Sequence, residues 1–337
     1  QVITLATSTR YANPEQVGQL LPDVYGDLRT GGEGGLLPAV LIDTVNFVYL
    51  CANHAVEAID SVWADTGAQI TTGFSTNVSV DQEGQGTVAI IDFTTVQTGP
   101  IYWRGRGKQS GGTLITNPIS AWEDFLKTRA GWVAADFEPT ALEKGRAACT
   151  AQGYTFAAWI GQERTIKAWL SEWGQDLCAD HWLDWLERLV IDVETAAYWQ
   201  EPALAGHVVA SRDVVDGENG VEMTMDLQNL ANVLRQYHLW HERRVDYSSV
   251  VEATRAASQN AFGDRIKPLT YPTVRATAHL SAVATVLFTL FDGRTPPAGA
   301  VLRFATHGMK FCHVTRGDRI GFSWDHGPAR SGDQYRN

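Results

Sequence analysis

The chain has 337 residues, 44% of them hydrophobic, enough to bury a large core and to divide into two or three domains. Its net charge of -11 argues against general affinity for nucleic acid, whose phosphates demand clustered Lys and Arg. No run of about 18 apolar residues is present, so no membrane span is expected, and Gln1 to Arg10 show neither the basic start nor the apolar block of a signal peptide.

The first residues carry Asn13-Pro14, then Leu20 to Leu28, then Gly31-Gly32-Glu33-Gly34-Gly35. The glycine run has no Gly-Lys-Ser/Thr and no G-x-G-x-x-G around it, so it reads as a connector rather than a phosphate cradle. From Leu36 to Trp103 the chain is strand-like. Ala39 to Ile42 and Phe47 to Leu50 are short apolar runs, Ile70 to Phe74 alternates, and Thr87 to Phe93 is a β-branched run. Turn clusters such as Asp81 to Gly86 separate them, which predicts a compact antiparallel sheet or barrel. Ile101 to Lys108 is a basic, glycine-broken strand and loop, read as a solvated hairpin end, with contact to an acidic neighbour as the alternative.

The middle of the chain changes period. Asn117 and Pro118 form a helix start, followed by Ile119, Trp122, Phe125 and Leu126 at helical spacing, with Gly131 as terminator. Thr140 is placed to cap a second helix from Ala141 to Ala151, which Gly153 ends. A strand is expected from Thr155 to Ile160, and Ile166, Trp169, Leu170 and Trp173 make the stripe of a third helix. In His181 to Val193, Trp182, Trp185, Leu186 and Leu189 suit a helical face. Trp159, Trp169, Trp173, Trp182, Trp185 and Trp199 fall in this lobe. Their spacing fits core or subunit-interface packing, while a set aligned on an exposed face would instead make a carbohydrate platform.

Past Glu201-Pro202 strands return, at Gly206 to Ala210 and Val221 to Asp226, flanking a turn at Asp216 to Gly220. Leu234 to Val245 is expected as a strand. Thr273 to Phe291 reads as a helix bounded by Pro272 and Gly293, packed on a sheet built from Val301 to Ser323, with a turn at Gly317-Asp318 before the last strand.

Chemistry-bearing patterns are sparse. Cys51, Cys149, Cys178 and Cys312 lie far apart with no C-x-x-C, which reads as reduced, mostly buried thiols. His241-Glu242-Arg243-Arg244 is no H-E-x-x-H, and alternation on the expected strand sends Cys312 and His313 to opposite faces, against a metal site with His307 and Asp318. There is no Gly-x-Ser-x-Gly elbow, and the pairs Asp184/Glu187 and Glu123/Asp124 are scattered, so no catalytic residue and no enzyme activity are expected.

Several stretches carry a resemblance. Pro22-x-Val24-Tyr25-Gly26-Asp27, the Asn117-Pro118-led helix with its following helix, aromatic strand, helix and paired strands, and Asn232-Val233 through Tyr237-His238-Leu239-Trp240 to Asp246-Tyr247 are three of them. Phe262-Gly263-Asp264-Arg265, the helix holding Ala276 to Phe288, Pro296-Pro297, the strand at Leu302 to Phe304 and Arg316-Gly317-Asp318-Arg319-Ile320 complete the series. In order, these elements resemble the hub-type domain of tailed-phage tail-tip and baseplate proteins, over roughly residues 15–30 and 115–325. The resemblance implies an α+β fold: a β-rich multi-domain hub with antiparallel sheets or barrels and a small helical lobe, divided as 1–112, 113–200 and 201–337, with a hairpin rather than a helix over His181 to Val193. It implies a structural virion protein, a homotrimer joining tail tube or distal tail protein to fibre or spike and forming part of the DNA-ejection channel. Gly263, Arg265, Gly317, Asp318, Trp169 and Trp173 would be its structural or interface residues. No cofactor is expected, although some tail-tip proteins hold an iron–sulfur cluster on four cysteines and four are present here. The alternative from another class is a carbohydrate-binding protein for host-surface recognition, using the tryptophan-rich lobe.

Overall fold

The structure is a computed structural model describing residues 21–30, 35–81, 86–195 and 230–291, together with the backbone of strands at 207–210, 221–225, 300–304 and 320–323. It is an α+β fold of several sheets. The chain divides into two compact units, one made of Gln1–Val193, Arg235–Glu252 and Pro268–Val283, the other of Glu194–Leu234, Ala253–Lys267 and Ala284–Asn337.

In the first unit, seven antiparallel strands form one sheet. They are β2 (Leu37–Asp43), β3 (Val48–Ala52), β4 (Ala58–Ala64), β5 (Gln69–Ile70), β6 (Phe74–Asp81), β7 (Thr87–Phe93) and β8 (Ile101–Arg106), in the order β5-β4-β8-β2-β3-β7-β6. The order does not close, but the sheet curls until the Val56 amide donates to the Val78 carbonyl at 3.0 Å. The period of two sorts its side chains into two cores. Tyr49, Cys51, Ala89, Ile91 and Trp103 fill one, while Leu50, Val88 and Ile90 turn to the other with Leu21 and Ile42.

The basic segment after Ile101 is not a solvated hairpin end. It is β8, flanked by β4 and β2, with Ile101 and Trp103 buried. Its cations meet carboxylates instead: Arg106 pairs with Glu57, and Lys108 Nζ lies 2.7 Å from Asp124 Oδ2. A hydrophobic strand interrupted by Arg and Gly reads as an edge; here Gly105 and Gly107 serve close backbone approach. A Cβ on Gly107 would stand 2.4 Å from the Val24 carbonyl oxygen.

That carbonyl belongs to β1 (Asp23–Tyr25), which pairs antiparallel with β11 (Ala158–Ile160). Asp23 is buried and takes a bidentate ion pair from Arg129, the Tyr25 hydroxyl donates to Asp124 at 2.6 Å, and the Val24 amide donates to His54 Nε2 at 2.9 Å. Gly26 has φ of +75°, and a Cβ there would fall 2.0 Å from the Phe156 carbonyl oxygen, so only glycine fits.

The helical lobe follows its sequence signals closely. Helix α1 (Pro118–Ala130) is capped by Asn117, whose side-chain oxygen accepts from the Ile119 amide at 3.1 Å, and ends at Gly131 in the left-handed region. Helix α2 (Pro139–Gln152) begins two residues earlier than expected, because Glu138 rather than Thr140 supplies the cap, accepting from the Ala141 amide at 2.6 Å with Pro139 in the first turn. Gly153 ends it as predicted. Helix α3 (Ile166–Leu177) is capped by Thr165. The expected strand at 155–160 is ordered as β11 only from Ala158. The segment after α3 is a hairpin, β12 (Ala179–Leu183) against β13 (Leu189–Val193).

Strands β16 (Val233–His241), β17 (Asp246–Thr254) and β18 (Ile266–Tyr271) form a sheet ordered β17-β16-β18. The single strand expected over 234–245 ends at His241 and turns back. Helix α5 (Thr277–Phe291) takes a hydrogen bond from Gln236 of β16 at its Leu280 carbonyl, so it packs on this sheet.

In the second unit the short helix α4 (Ala256–Phe262) precedes β18. Strand β14 (His207–Ala210) pairs in parallel with β20 (Ile320–Ser323), and β15 (Val221–Met225) pairs antiparallel with β19 (Ala300–Phe304). The hairpin expected between 206–210 and 221–226 is therefore not made. Turn residues between two runs predict local closure, whereas a parallel partner must be reached by a crossover from elsewhere in the chain.

Candidate functional site

The expected structural residues fall into three groups. Trp169 and Trp173 are core: they are 6% and 1% exposed and pack with Trp122, Phe125 and Phe156. Ring centroids lie 5.4 Å apart for Trp169–Trp173, 5.8 Å for Trp122–Trp173 and 5.2 Å for both Phe125–Trp173 and Phe156–Trp173, several of them edge-on as aromatic quadrupoles favour.

Gly263 and Arg265 are gathered by one residue that the sequence reading did not single out. Asn232 is fully buried, and its side-chain oxygen accepts from the Arg265 amide at 2.7 Å while its Nδ2 donates to the Gly263 carbonyl at 2.8 Å. Its own amide donates to the Arg265 carbonyl at 3.0 Å, and its carbonyl accepts from the Arg255 amide at 2.9 Å. Gly263 closes α4 with φ of +68°. The Phe-Gly-Asp-Arg segment thus links the end of α4 to β18 and is held by one asparagine, which Arg265 meets through its main chain. Gly317 and Asp318 lie outside the described residues.

Cys51 and Cys149 are buried and not disulfide-bonded, and burial pushes both thiols up, Cys149 to about 12. Cys178 ends α3 in the left-handed region, and Cys312 lies outside the described residues, as do His307 and His313. Among the described residues no three His, Cys, Asp or Glu side chains come together as a metal site. None of the described helices is long and apolar enough to cross a membrane.

One concave site does form, in the first unit, where β11 and α3 meet the end of β16, the start of β17 and the segment before α5. It is a cavity of about 150 Å³ between Trp159, Trp169, Trp240 and Tyr247. The rings of Trp240 and Tyr247 meet edge to face at 5.0 Å. Arg164 lies over Trp169, 4.7 Å from the ring centroid, and its Nη1 holds Glu172 at 2.5 Å. Across the cavity Arg275 is nearly buried and donates to the Trp240 carbonyl at 2.9 Å; burial lowers it to about 10, against the pull of Glu242. Burial pushes the Glu242 carboxyl up, opposed by a hydrogen bond from the Trp240 side chain and by the charges of Arg275 and Arg164. Thr273, which lines the cavity, is bound to a buried carboxyl: Asp176 Oδ2 accepts from the Thr273 amide at 3.2 Å and from its hydroxyl, and burial holds this carboxyl well above the usual range. His279 Nε2 lies 2.8 Å from the Asp176 carbonyl, and burial lowers this imidazole to about 4.

Trp169 and Trp159 were legible as lobe tryptophans. Their partners Trp240, Glu242, Tyr247 and Arg275 come from segments about a hundred residues distant and carry no local signature of a shared pocket. Among the described residues the tryptophans do not align on one exposed face: Trp185 is 85% exposed at the hairpin tip, whereas Trp122, Trp169 and Trp173 are buried.

No protein-family model matches the chain, and no curated protein matches it. Among solved structures it is similar to prophage tail protein gp18 from Listeria monocytogenes, at 8% identity over 90% of this chain and 78% of that one, with a TM-score of 0.34. It is also similar to a tail protein from Neisseria meningitidis, at 14% identity over 92% of this chain and 83% of that one, with a TM-score of 0.35.

Proposed function

We propose that the chain is a structural component of a phage tail tip or baseplate, the hub that joins the tail tube to a fibre or spike. In this reading it acts as a homotrimer around the passage through which DNA leaves, and resides in the virion after synthesis in the host cytoplasm. The observation that carries the reading is the order of elements from Asn117 to Val193. A capped helix, a second helix, a short strand, a third helix and a hairpin follow one another as the hub resemblance requires. The short strand pairs with the Pro22 to Asp27 segment, which the same resemblance singled out separately. The burial of the α1 and α3 tryptophans supports a packing role for them over a flat sugar platform.

The test is co-expression with a tail-tube protein from the same source, followed by electron microscopy. The proposal expects rings of this chain capping tube ends; tubes left bare while the chain elutes alone would sink it.

A further inference from the structure

We propose that the cavity between Trp159, Trp240 and Tyr247 is a binding site for a single neutral pyranose ring, and so for one residue of a glycan. The inference does not rest on the tail-tip reading, because it concerns the purified chain whatever it assembles with.

Size is the first argument. A volume of about 150 Å³, that of an apolar protein cavity known to accept one benzene molecule, takes the ring of at most one pyranose, whose hydroxyls then reach out past the half-exposed Arg164 and Glu172. A nucleotide or a peptide segment does not fit.

The lining decides which kind of ring. The lining combines the aromatic side chains of Trp159, Trp240 and Tyr247 with the Arg164 guanidinium and the Glu172 and Glu242 carboxylates. A purely apolar ligand would take Glu172 and Glu242 out of water with no new partner, which is costly. Two carboxylates are matched by the two guanidiniums of Arg164 and Arg275, so the lining carries no excess of either sign to draw in a charged ligand. A neutral polyhydroxylated ring satisfies both sets at once: its C–H face lies on an aromatic ring, and its hydroxyls donate to carboxylates and accept from guanidinium.

The polar groups are also held in place before any ligand arrives. Arg164 is fixed between Trp169 and Glu172, Glu242 by Trp240, and Tyr247 by a hydrogen bond to Thr270. Fixed partners lose little freedom on binding.

The experiment is a tryptophan-fluorescence titration of the full chain with the methyl pyranosides of glucose, galactose, mannose and N-acetylglucosamine. Tetramethylammonium chloride and sodium acetate serve as charged counter-probes. At least one glycoside is expected to give a saturable change with a dissociation constant on the order of 1 mM, the scale for a ligand of this size. Glu242→Gln should weaken it about tenfold or more, since hydrogen bonds to a charged acceptor are the strong ones. Trp240→Ala should do the same, and Trp185→Ala, at the exposed hairpin tip, should change nothing. If Trp240→Ala fails to fold, judged by circular dichroism, Glu172→Gln at the half-exposed rim replaces it. The inference is overturned if no glycoside saturates, if only a charged probe does, or if the response survives in Glu242→Gln. Light scattering on the same samples reports assembly separately, so loss of sugar binding and loss of the hub reading are distinguishable.

Discussion

At the scale of single residues, Asn232 and the pair Asp176–His279 do the most specific work. Asn232 supplies the only side chain shown satisfying both the Gly263 carbonyl and the Arg265 amide. Asn232→Ala leaves these groups unpaired and should cost about 3 kcal/mol in urea unfolding, with faster hydrogen exchange at the Arg265 amide. Asn232→Asp keeps the acceptor but loses the donor, so it should fall between the two. Asp176 and His279 couple stability to pH in opposite senses. His279 in the folded chain titrates near 4 against an ordinary 6.5, so between these values the unfolded chain binds more protons. Stability should therefore drop by up to about 3 kcal/mol as pH falls from 6.5 through 4. Asp176 is shifted the other way: its folded carboxyl keeps its proton above the usual range, so raising pH through its folded value also removes stability. Urea midpoints measured from pH 4 to 8 should show the two trends partly offsetting in the native chain, and in His279→Gln, where only the Asp176 linkage remains, a midpoint that falls as pH rises from 4.

At the scale of elements, the strand Asp23–Tyr25 ties the large sheet to α1 and β11, and its join depends on Gly26. Gly26→Ala places a methyl 2.0 Å from the Phe156 carbonyl oxygen in a backbone region that alanine avoids. It should destabilise by several kcal/mol or abolish soluble expression, whereas Trp185→Ala, on an exposed tip, should shift stability by no more than about 0.5 kcal/mol. Thermal melts compare the two directly. Much of this element layer was readable in the sequence. Asn117-Pro118, Gly131 and Gly153 are local signals for helix ends, and the Ile166–Trp173 stripe needs only its own spacing. What was not readable is pairing at a distance. β14 and β20 are joined by no local turn, β8 read as a solvated hairpin end because the carboxylates its cations meet lie elsewhere in the chain, and α2 takes its cap from a glutamate where a threonine gave the conventional signal. The cavity is the extreme case: Trp159, Trp240 and Arg275 become neighbours only once the fold is complete.

At the scale of the whole molecule, the account stands on assembly. A hub encloses a passage only as a closed ring, and closed rings of identical chains use the same contacts at each interface. The hub reading therefore requires self-association with a defined stoichiometry. The direct measurement is the solution mass by multi-angle light scattering over a range of concentrations, with and without tail-tube protein. The account predicts a species of about 111 kDa, three times the chain mass of 37.0 kDa, alone or on mixing. A species that stays at 37.0 kDa at every concentration and ignores the tube protein would contradict it.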